Sequence, residues 1–200
     1  MNRFFKYGNY WLWLACLLPL SSMIPGQAIQ PTKVKFSSHN HVQLKVHGTS
    51  TLHDWDMHSN QGDFEIVFLK DPAGHLRKID KLAFHTKITS LTGPYEQMNT
   101  LTYDAFKSES ISFRADSARL QEKDIHHYHA ESFGKLNMAD TVRNVRIEAN
   151  ITINPDHSIQ ITGQKSINMT DYHIIPPSFM MGAFKIDRSI LLKFNLTAFP

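Results

Sequence analysis

The sequence predicts an antiparallel all-β domain with one short helix. Apolar and polar residues alternate with period two in one segment after another, which is typical of half-buried strands. Turn-forming residues separate these segments at regular intervals, as they do in barrels and sandwiches. The alternation favours antiparallel pairing, because strands of parallel sheets are buried on both faces and contain continuous apolar runs.

The first half of the predicted sheet lies before residue 90. Residues 30–36 form a leader or an edge strand, and residues 41–47 alternate as a half-buried strand. Two further strands are predicted over residues 62–69 and 79–88, with a turn at residues 71–74 between them. Each of these two strands places its apolar side chains on one face.

A change of period marks the predicted helix at residues 95–106. Met98, Leu101 and Ala105 recur at helical spacing, and Pro94 stands near the first turn, where proline is tolerated. Strands then resume, and a turn at residues 154–157 separates two of them. They are predicted around residues 111–113, 118–123, 128–138, 145–153, 159–163 and 190–196.

The first 28 residues have the three parts of a secretory signal peptide. The start is basic, residues 10–20 are apolar, and residues 26–28 form a small-residue cleavage site. The apolar part is short for a membrane span. We therefore expect a cleaved signal peptide over residues 1–28, one domain over residues 29–200, and a periplasmic or secreted protein.

Cleavage would leave a nearly neutral chain without cysteine. The sequence has 21 Lys and Arg residues and 18 Asp and Glu residues. Loss of Arg3 and Lys6 with the signal peptide would leave 19 basic residues. Such a balance does not support a nucleic-acid binder. Loss of Cys16, the only cysteine, would exclude disulfides and thiol chemistry. Lipid attachment at Cys16 and an uncleaved anchor are the alternatives.

Residues 48–55 read Gly-Thr-Ser-Thr-Leu-His-Asp-Trp and follow a predicted strand. The cluster of His53, Asp54 and Trp55 is compatible with a catalytic or metal site, the rim of a ligand pocket, or a structural corner. Adjacent strand residues point to opposite faces, so His53 and Asp54 are poorly placed as an orienting pair. No Gly-x-Ser-x-Gly elbow or Gly-rich phosphate loop is present. We predict no enzyme, and a hydrolase using His53 and Asp54 is an alternative.

The chain contains 12 histidines. His39 and His41 are spaced to share a strand face, as are His127 and His129, with His126 beside them. Imidazole suits zinc or copper, but a site needs three or four convergent ligands, and no carboxylate or cysteine completes a recognised spacing. The prediction is no metal. A histidine-based metal-binding or stress-response barrel without a lipid is the alternative function.

Phenylalanine and methionine are frequent beyond the predicted signal peptide. A barrel of about eight strands is just wide enough to fill with side chains or to hold one ligand, and flexible Met side chains suit an adaptable apolar cavity. Residues 174–182 form an apolar, proline-stiffened loop that is either covered or a lip over a cavity mouth. With ordinary packing as the alternative for each, the predicted ligand contacts are Phe64, Ile66, Phe68, Phe84, Phe113, Met169, Phe179 and His53.

Four blocks, in order, resemble the YceI-like family, the lipocalin-like polyisoprenoid-binding proteins. Residues 46–55 resemble the family's first-strand motif. The other three are a helix followed by an Ile-x-Phe strand, a Gly-x-Leu-x-Met block, and the closing segment, at residues 98–113, 134–141 and 169–186. Asp140 stands in place of the usual Gly of its block. The resemblance spans roughly residues 42–196.

The resemblance implies a lipocalin-like antiparallel β-barrel of about eight strands with one short helix, enclosing a long isoprenoid lipid. It implies no catalytic residues and no cofactor besides that lipid, which would be polyprenyl or quinone-like. It also suggests a homodimer, and such a ligand implies transient contact with a membrane. We therefore expect a non-enzymatic lipid binder or carrier.

Overall fold

A computed structural model describes residues 30–179 and 183–200, with the side chains of Phe179 and Phe184 left out. The predicted signal peptide, its cleavage site and Cys16 lie outside the described residues. So does the end of the predicted lip loop at residues 180–182.

The described chain contains twelve β-strands, all paired antiparallel, and one α-helix, α1, at Glu96–Phe106. Two short 3₁₀ helices lie at Ile88–Ser90 and Met169–Tyr172. The strands are β1 Thr32–His39, β2 Val42–Ser50, β3 Trp55–Ser59, β4 Asp63–Lys70, β5 Leu76–Lys87, β6 Ser110–Ala115, β7 Ala118–Asp124, β8 His127–Met138, β9 Thr141–Ile153, β10 Ile159–Asn168, β11 Ser178–Phe179 and β12 Phe184–Ala198. None of the helices in these ranges is both long enough and apolar enough to cross a membrane.

The predicted antiparallel all-β class and the single α-helix are confirmed, whereas the predicted number of about eight strands is too low. Two strands were not predicted from the sequence because each is very short. Strand β3 has five residues, and the last of its buried residues is a serine rather than an apolar residue. Strand β11 has two residues, which pair only with β12. Segments this short carry too few alternations to define a period.

The sheet brings the two ends of the domain together. Its strand order is β1-β4-β5-β6-β8-β9-β10-β12-β2-β3, with β7 paired to β5 and β8, and β11 to β12. Ser37 on β1 exchanges two backbone hydrogen bonds, of 2.8 and 2.9 Å, with Phe199 just after β12. This bridge links the first strand to the end of the last one and closes that part of the sheet into a barrel.

The interior contains two clusters of buried apolar side chains. One cluster is packed around Phe36, Phe64 and Phe68, and the Phe36 and Phe68 rings meet edge to face at 5.8 Å. The other includes Phe106 of α1, Met57 of β3 and Met169 of the second 3₁₀ helix. The first cluster forms the packed base of the barrel, and the second surrounds the cavity described below.

The β8–β9 hairpin shows how Asp140 is accommodated. Met138 pairs with Thr141, and the two loop residues between them, Ala139 and Asp140, have φ angles of 49° and 55°. Two successive positive φ values define a type I′ turn, which strongly favours glycine at its second position. Asp140 adopts this conformation at a cost that glycine would not have, although Asp tolerates it better than most residues.

We predict that Asp140→Gly raises the free energy of unfolding by about 0.5–1 kcal/mol, because glycine removes the positive-φ strain of the turn. Asp140→Ala removes the same charge but keeps a Cβ, and should lower the stability by roughly 0.5 kcal/mol. Urea denaturation of both variants and the parent measures this difference. Equal stability of the Gly and Ala variants would contradict the assignment of strain to this residue.

Candidate functional site

An internal cavity of about 590 Å³ lies beneath helix α1. The helix contributes Met98, Leu101, Ala105 and Phe106 to its wall. The rest comes mainly from inward-facing apolar residues of β2, β3, β5, β8 and β12 and from the segment around the second 3₁₀ helix. This volume lies within the range of about 300–1,000 Å³ that is usual for small-molecule sites. The cavity is therefore large enough to hold a ligand and is larger than an ordinary packing defect.

The polar side chains of the cavity lie mostly at its mouth. His53, Gln97 and Lys185 are exposed and line its opening. Thr102 lies deeper, but its hydroxyl donates to the Met98 carbonyl oxygen at 2.9 Å, which satisfies it within the helix. An apolar molecule can thus be buried in this space while a polar end stays at the opening.

Helix α1 is held in place by the loop that precedes it. The Tyr103 hydroxyl donates to the Leu91 carbonyl oxygen at 2.7 Å. The backbone N–H of Gly93 donates to the Asn99 side-chain oxygen at 2.6 Å. The helix ends at Phe106, and the next residue, Lys107, has a φ of 53°, the left-handed conformation typical of helix termini. These contacts fix the helix across the cavity and orient its apolar stripe toward it.

The Gly48–Trp55 segment shapes one side of the mouth. Gly48 on β2 lies directly opposite Trp55 on β3, and the indole ring covers the glycine so closely that a Cβ there would overlap it. Trp55 Nε1 donates to the Thr49 carbonyl oxygen at 3.3 Å, and its ring lines the cavity. The Ser50 hydroxyl closes the turn by donating to the His53 carbonyl oxygen at 2.7 Å. The motif is thus a structural corner and also part of the cavity rim.

The side chains of His53 and Asp54 do not pair. The His53 ring lies 2.7 Å through Nδ1 from the Asp54 backbone carbonyl oxygen. The Asp54 carboxylate instead faces His47, with 4.0 Å between Oδ2 and Nε2. Since the Ser50 hydroxyl is engaged in the turn, these residues do not form a serine–histidine–carboxylate arrangement.

The histidines are dispersed over the surface of the described barrel. The prediction that His39 and His41 share a strand face is wrong, because the chain turns at Asn40, whose φ is 60°. His39 contacts Asp63 at 2.6 Å, whereas the His41 ring packs edge to face on Phe199 at 5.2 Å. His127 is held by Asp124 at 2.9 Å. Over residues 30–179 and 183–200, no group of three His, Cys, Asp or Glu residues is arranged to hold a metal ion.

The structure distributes the predicted ligand contacts among three environments. His53, Phe84 and Met169 line the large cavity. A small adjoining void of about 80 Å³ is bordered by Phe64, Ile66, Phe84 and Phe113, and it shares further wall residues with the large cavity. Phe68 is fully buried and lines neither space. The Phe179 side chain lies outside the described part of the structure, and contact of all these residues with a ligand stays a prediction.

Sequence reasoning did not assign the helix to the cavity wall. The signal was present, because Met98, Leu101 and Ala105 recur at helical spacing and all three line the cavity. A helical stripe shows which face is buried, but not whether that face meets side chains or open space. Met57 was missed for a different reason, because its short strand β3 was not predicted.

The outer face of β2 and β3 carries an acid-sensitive ion-pair cluster. Lys45, at 2.8 Å, and His47, at 2.9 Å, hydrogen-bond to the Asp56 carboxylate and lower the pKa of Asp56 below its ordinary value. A carboxyl group with a lowered pKa in the folded state contributes stability above its unfolded pKa of about 3.9 and loses it as the pH falls through the folded value.

We therefore predict that Asp56→Asn flattens the fall in unfolding free energy that acidification below about pH 4 produces in the parent. The Asp56 side chain is 37% exposed, so solvent screening limits the difference to about 1 kcal/mol or less. Urea titrations between pH 2.5 and 6 measure it, with Asp104→Asn on the exposed face of α1 as a control for net charge. Parallel pH profiles for the parent and Asp56→Asn would refute it.

Taken together, the barrel and its apolar cavity define this chain as a lipocalin-like β-barrel protein. Its structure is similar to that of BcnA from Burkholderia cenocepacia, with a TM-score of 0.61 at 12% identity over 79% of this chain and 96% of BcnA. It is also similar to a polyisoprenoid binding domain from Saccharophagus degradans, with a TM-score of 0.61 at 8% identity over 84% of this chain and 98% of that domain. No family model and no curated protein matches the sequence. The predicted YceI-like resemblance is confirmed at the level of the fold.

Proposed function

We propose that this protein is a non-enzymatic binder or carrier of a long isoprenoid-type lipid, polyprenyl or quinone-like, acting in the periplasm or outside the cell. The observation that carries the proposal is the 590 Å³ cavity, whose wall is mainly apolar and whose polar side chains lie mostly near its mouth. A flexible apolar chain fills such a space without needing polar partners inside. The fold shared with a polyisoprenoid binding domain and the predicted signal peptide support the same proposal.

The energetics favour reversible exchange over irreversible capture. Each methylene removed from water contributes about 0.8 kcal/mol, so a chain of tens of carbons would exceed the practical affinity limit of roughly −20 kcal/mol. The ligand does not come from water, however, since its normal location is a membrane as apolar as the cavity. The hydrocarbon contribution therefore largely cancels, and the polar end and local packing decide the balance.

A role without catalysis agrees with the chemistry of the mouth. Its motif residues His53, Asp54 and Ser50 are not aligned for nucleophilic attack, as the distances above show. Their hydrogen bonds serve the turn that positions Trp55. The mouth therefore supplies shape and a few polar contacts rather than a reacting group.

The proposal is tested by lipid extraction and native mass spectrometry of protein purified from its own host, together with thermal unfolding in the presence of added polyprenol or quinone. A ligand at 100 times its dissociation constant stabilises the folded state by about 2.7 kcal/mol. For a domain of this size that is a rise in melting temperature of about 5–10 °C. A consistently empty barrel and an unchanged melting temperature would overturn the proposal.

A further inference from the structure

Three exposed apolar side chains lie on segments that line the cavity. Leu52, Tyr95 and Ile175 are 64%, 67% and 79% exposed, and they lie on three separate segments. Leu52 and Tyr95 line the cavity directly, and Ile175 stands between the lining residues Ile174 and Pro177. We refer to Leu52, Tyr95 and Ile175 as the mouth rim.

Local structure holds the mouth rim outward. The backbone N–H of Leu52 donates to the Ser50 hydroxyl oxygen at 3.3 Å, within the turn of the motif. Near Ile175, His173 has a φ of 57° and turns the chain, so that Ile174 is buried while Ile175 faces solvent. Tyr95 is the residue that caps the start of α1. The exposure is therefore set by ordered backbone at each of the three positions.

Isolated exposed apolar residues are common on protein surfaces and do not by themselves indicate a binding site. Seven large apolar side chains are exposed in the described part of the chain. Leu52 and Tyr95 line the cavity, and Ile175 directly follows the lining residue Ile174. The other four neither line the cavity nor adjoin a lining residue in sequence: Ile125, Phe133, Val142 and Phe199. Two of those have local partners, since Phe133 lies under the Arg146 guanidinium and Phe199 packs on His41.

The charged residues near the mouth rim indicate which type of membrane surface it can contact. Four acidic side chains lie close to the rim residues in sequence or on β12 where it lines the cavity: Asp54, Glu96, Asp171 and Asp187. Three basic side chains accompany them: Lys185 and Arg188 on β12, and Arg143, whose Nε donates to the Asp171 carbonyl oxygen at 2.9 Å. A border without net positive charge does not steer the protein to anionic headgroups. Contact must then come from apolar insertion into a neutral or zwitterionic surface.

We propose that the mouth rim inserts into a zwitterionic bilayer surface and seats the cavity opening on it, so that a lipid chain passes between membrane and barrel without crossing water. This inference rests on the proposed lipid-binding function. A bilayer suits the site better than a second copy of the chain, because a copy seated on the rim would seal the opening through which ligand must pass.

The experiment compares two matched double variants of the full chain. Leu52→Ser with Ile175→Ser removes two rim side chains, and Ile125→Ser with Phe133→Ser removes two apolar side chains that do not line the cavity. Flotation with phosphatidylcholine vesicles should show at least a tenfold weaker partition for the rim variant and an unchanged one for the control. Binding of the parent should change little between 50 and 500 mM salt and should not increase when phosphatidylglycerol is added.

Ligand loading is measured separately, by transfer of polyprenol from cyclodextrin to the chain that lacks its predicted signal peptide, in which Trp55 is the only tryptophan and its fluorescence reports binding. The single variant Ile175→Ser, which changes a rim residue that does not line the cavity, should load from cyclodextrin as the parent does, but more slowly from vesicles. If no protein loads from either source, the lipid-binding function itself fails. The membrane inference alone is overturned if the parent loads from cyclodextrin but the rim and control variants bind vesicles equally. It is likewise overturned by binding that requires anionic lipid, or by substitutions that change only the oligomeric state.

Discussion

Replacing Ala105 with tryptophan is expected to weaken lipid binding strongly while the barrel stays folded. Ala105 lies on α1 and its side chain borders the 590 Å³ cavity. An indole at this position extends into open space rather than into packed side chains, so the overpacking penalty of a filled core does not apply in full. The indole then occupies volume that the ligand needs.

The expected loss of affinity is at least about tenfold, or 1.4 kcal/mol. Added polyprenol at 100 times the parent's dissociation constant should raise the melting temperature of Ala105→Trp by no more than about half as much as that of the parent. Asp104→Trp is the matched control, because Asp104 is the preceding residue of the same helix but is exposed and does not line the cavity. Full lipid response in Ala105→Trp would show that this cavity is not the binding site.

Replacing Gly48 with alanine is expected to lower the free energy of unfolding by about 1–3 kcal/mol. The Trp55 ring lies against the glycine backbone, and a Cβ at position 48 would overlap ring atoms. The ring can yield only by leaving its place beside the Thr49 carbonyl and the cavity rim. Urea denaturation measures the loss.

The identity of the clashing atoms makes this prediction specific. In the double variant Gly48→Ala with Trp55→Ala the clash disappears, so the two changes should be strongly non-additive. Gly134 on β8 provides the contrast, because a Cβ there would lie 2.5 Å from the Arg114 backbone carbonyl oxygen as well as against the Phe113 ring. Phe113→Ala should therefore not rescue Gly134→Ala. Additive effects at positions 48 and 55 would contradict the proposed contact.

The strands could be predicted from the sequence because their signal is local. Phe64, Ile66 and Phe68 alternate with polar residues, and all three are buried in β4. The turn predicted at residues 154–157 joins β9 to β10. In both cases neighbouring residues along the chain contain all the information, since strand alternation and turn chemistry act within a few residues.

The cavity could not be predicted in the same way. Phe68 and Phe84 have the same sequence pattern, yet Phe68 is packed in the base while Phe84 borders both cavities. Their difference depends on which strands lie across the barrel from them, which involves residues far apart in sequence. The short strand β3 and the turn at Asn40 between His39 and His41 also changed the expected placement of side chains.

The antiparallel strands, their inward faces and the apolar stripe of α1 follow from the amino-acid sequence, because each is a repeat along a single segment. Where the inward faces meet one another and where they border empty space depends on the folded structure. Closure of the sheet and the seating of α1 across it set that division, and both depend on pairings between distant segments. The cavity beneath α1 is thus a property of the assembled barrel, although every side chain that lines it is visible in the sequence.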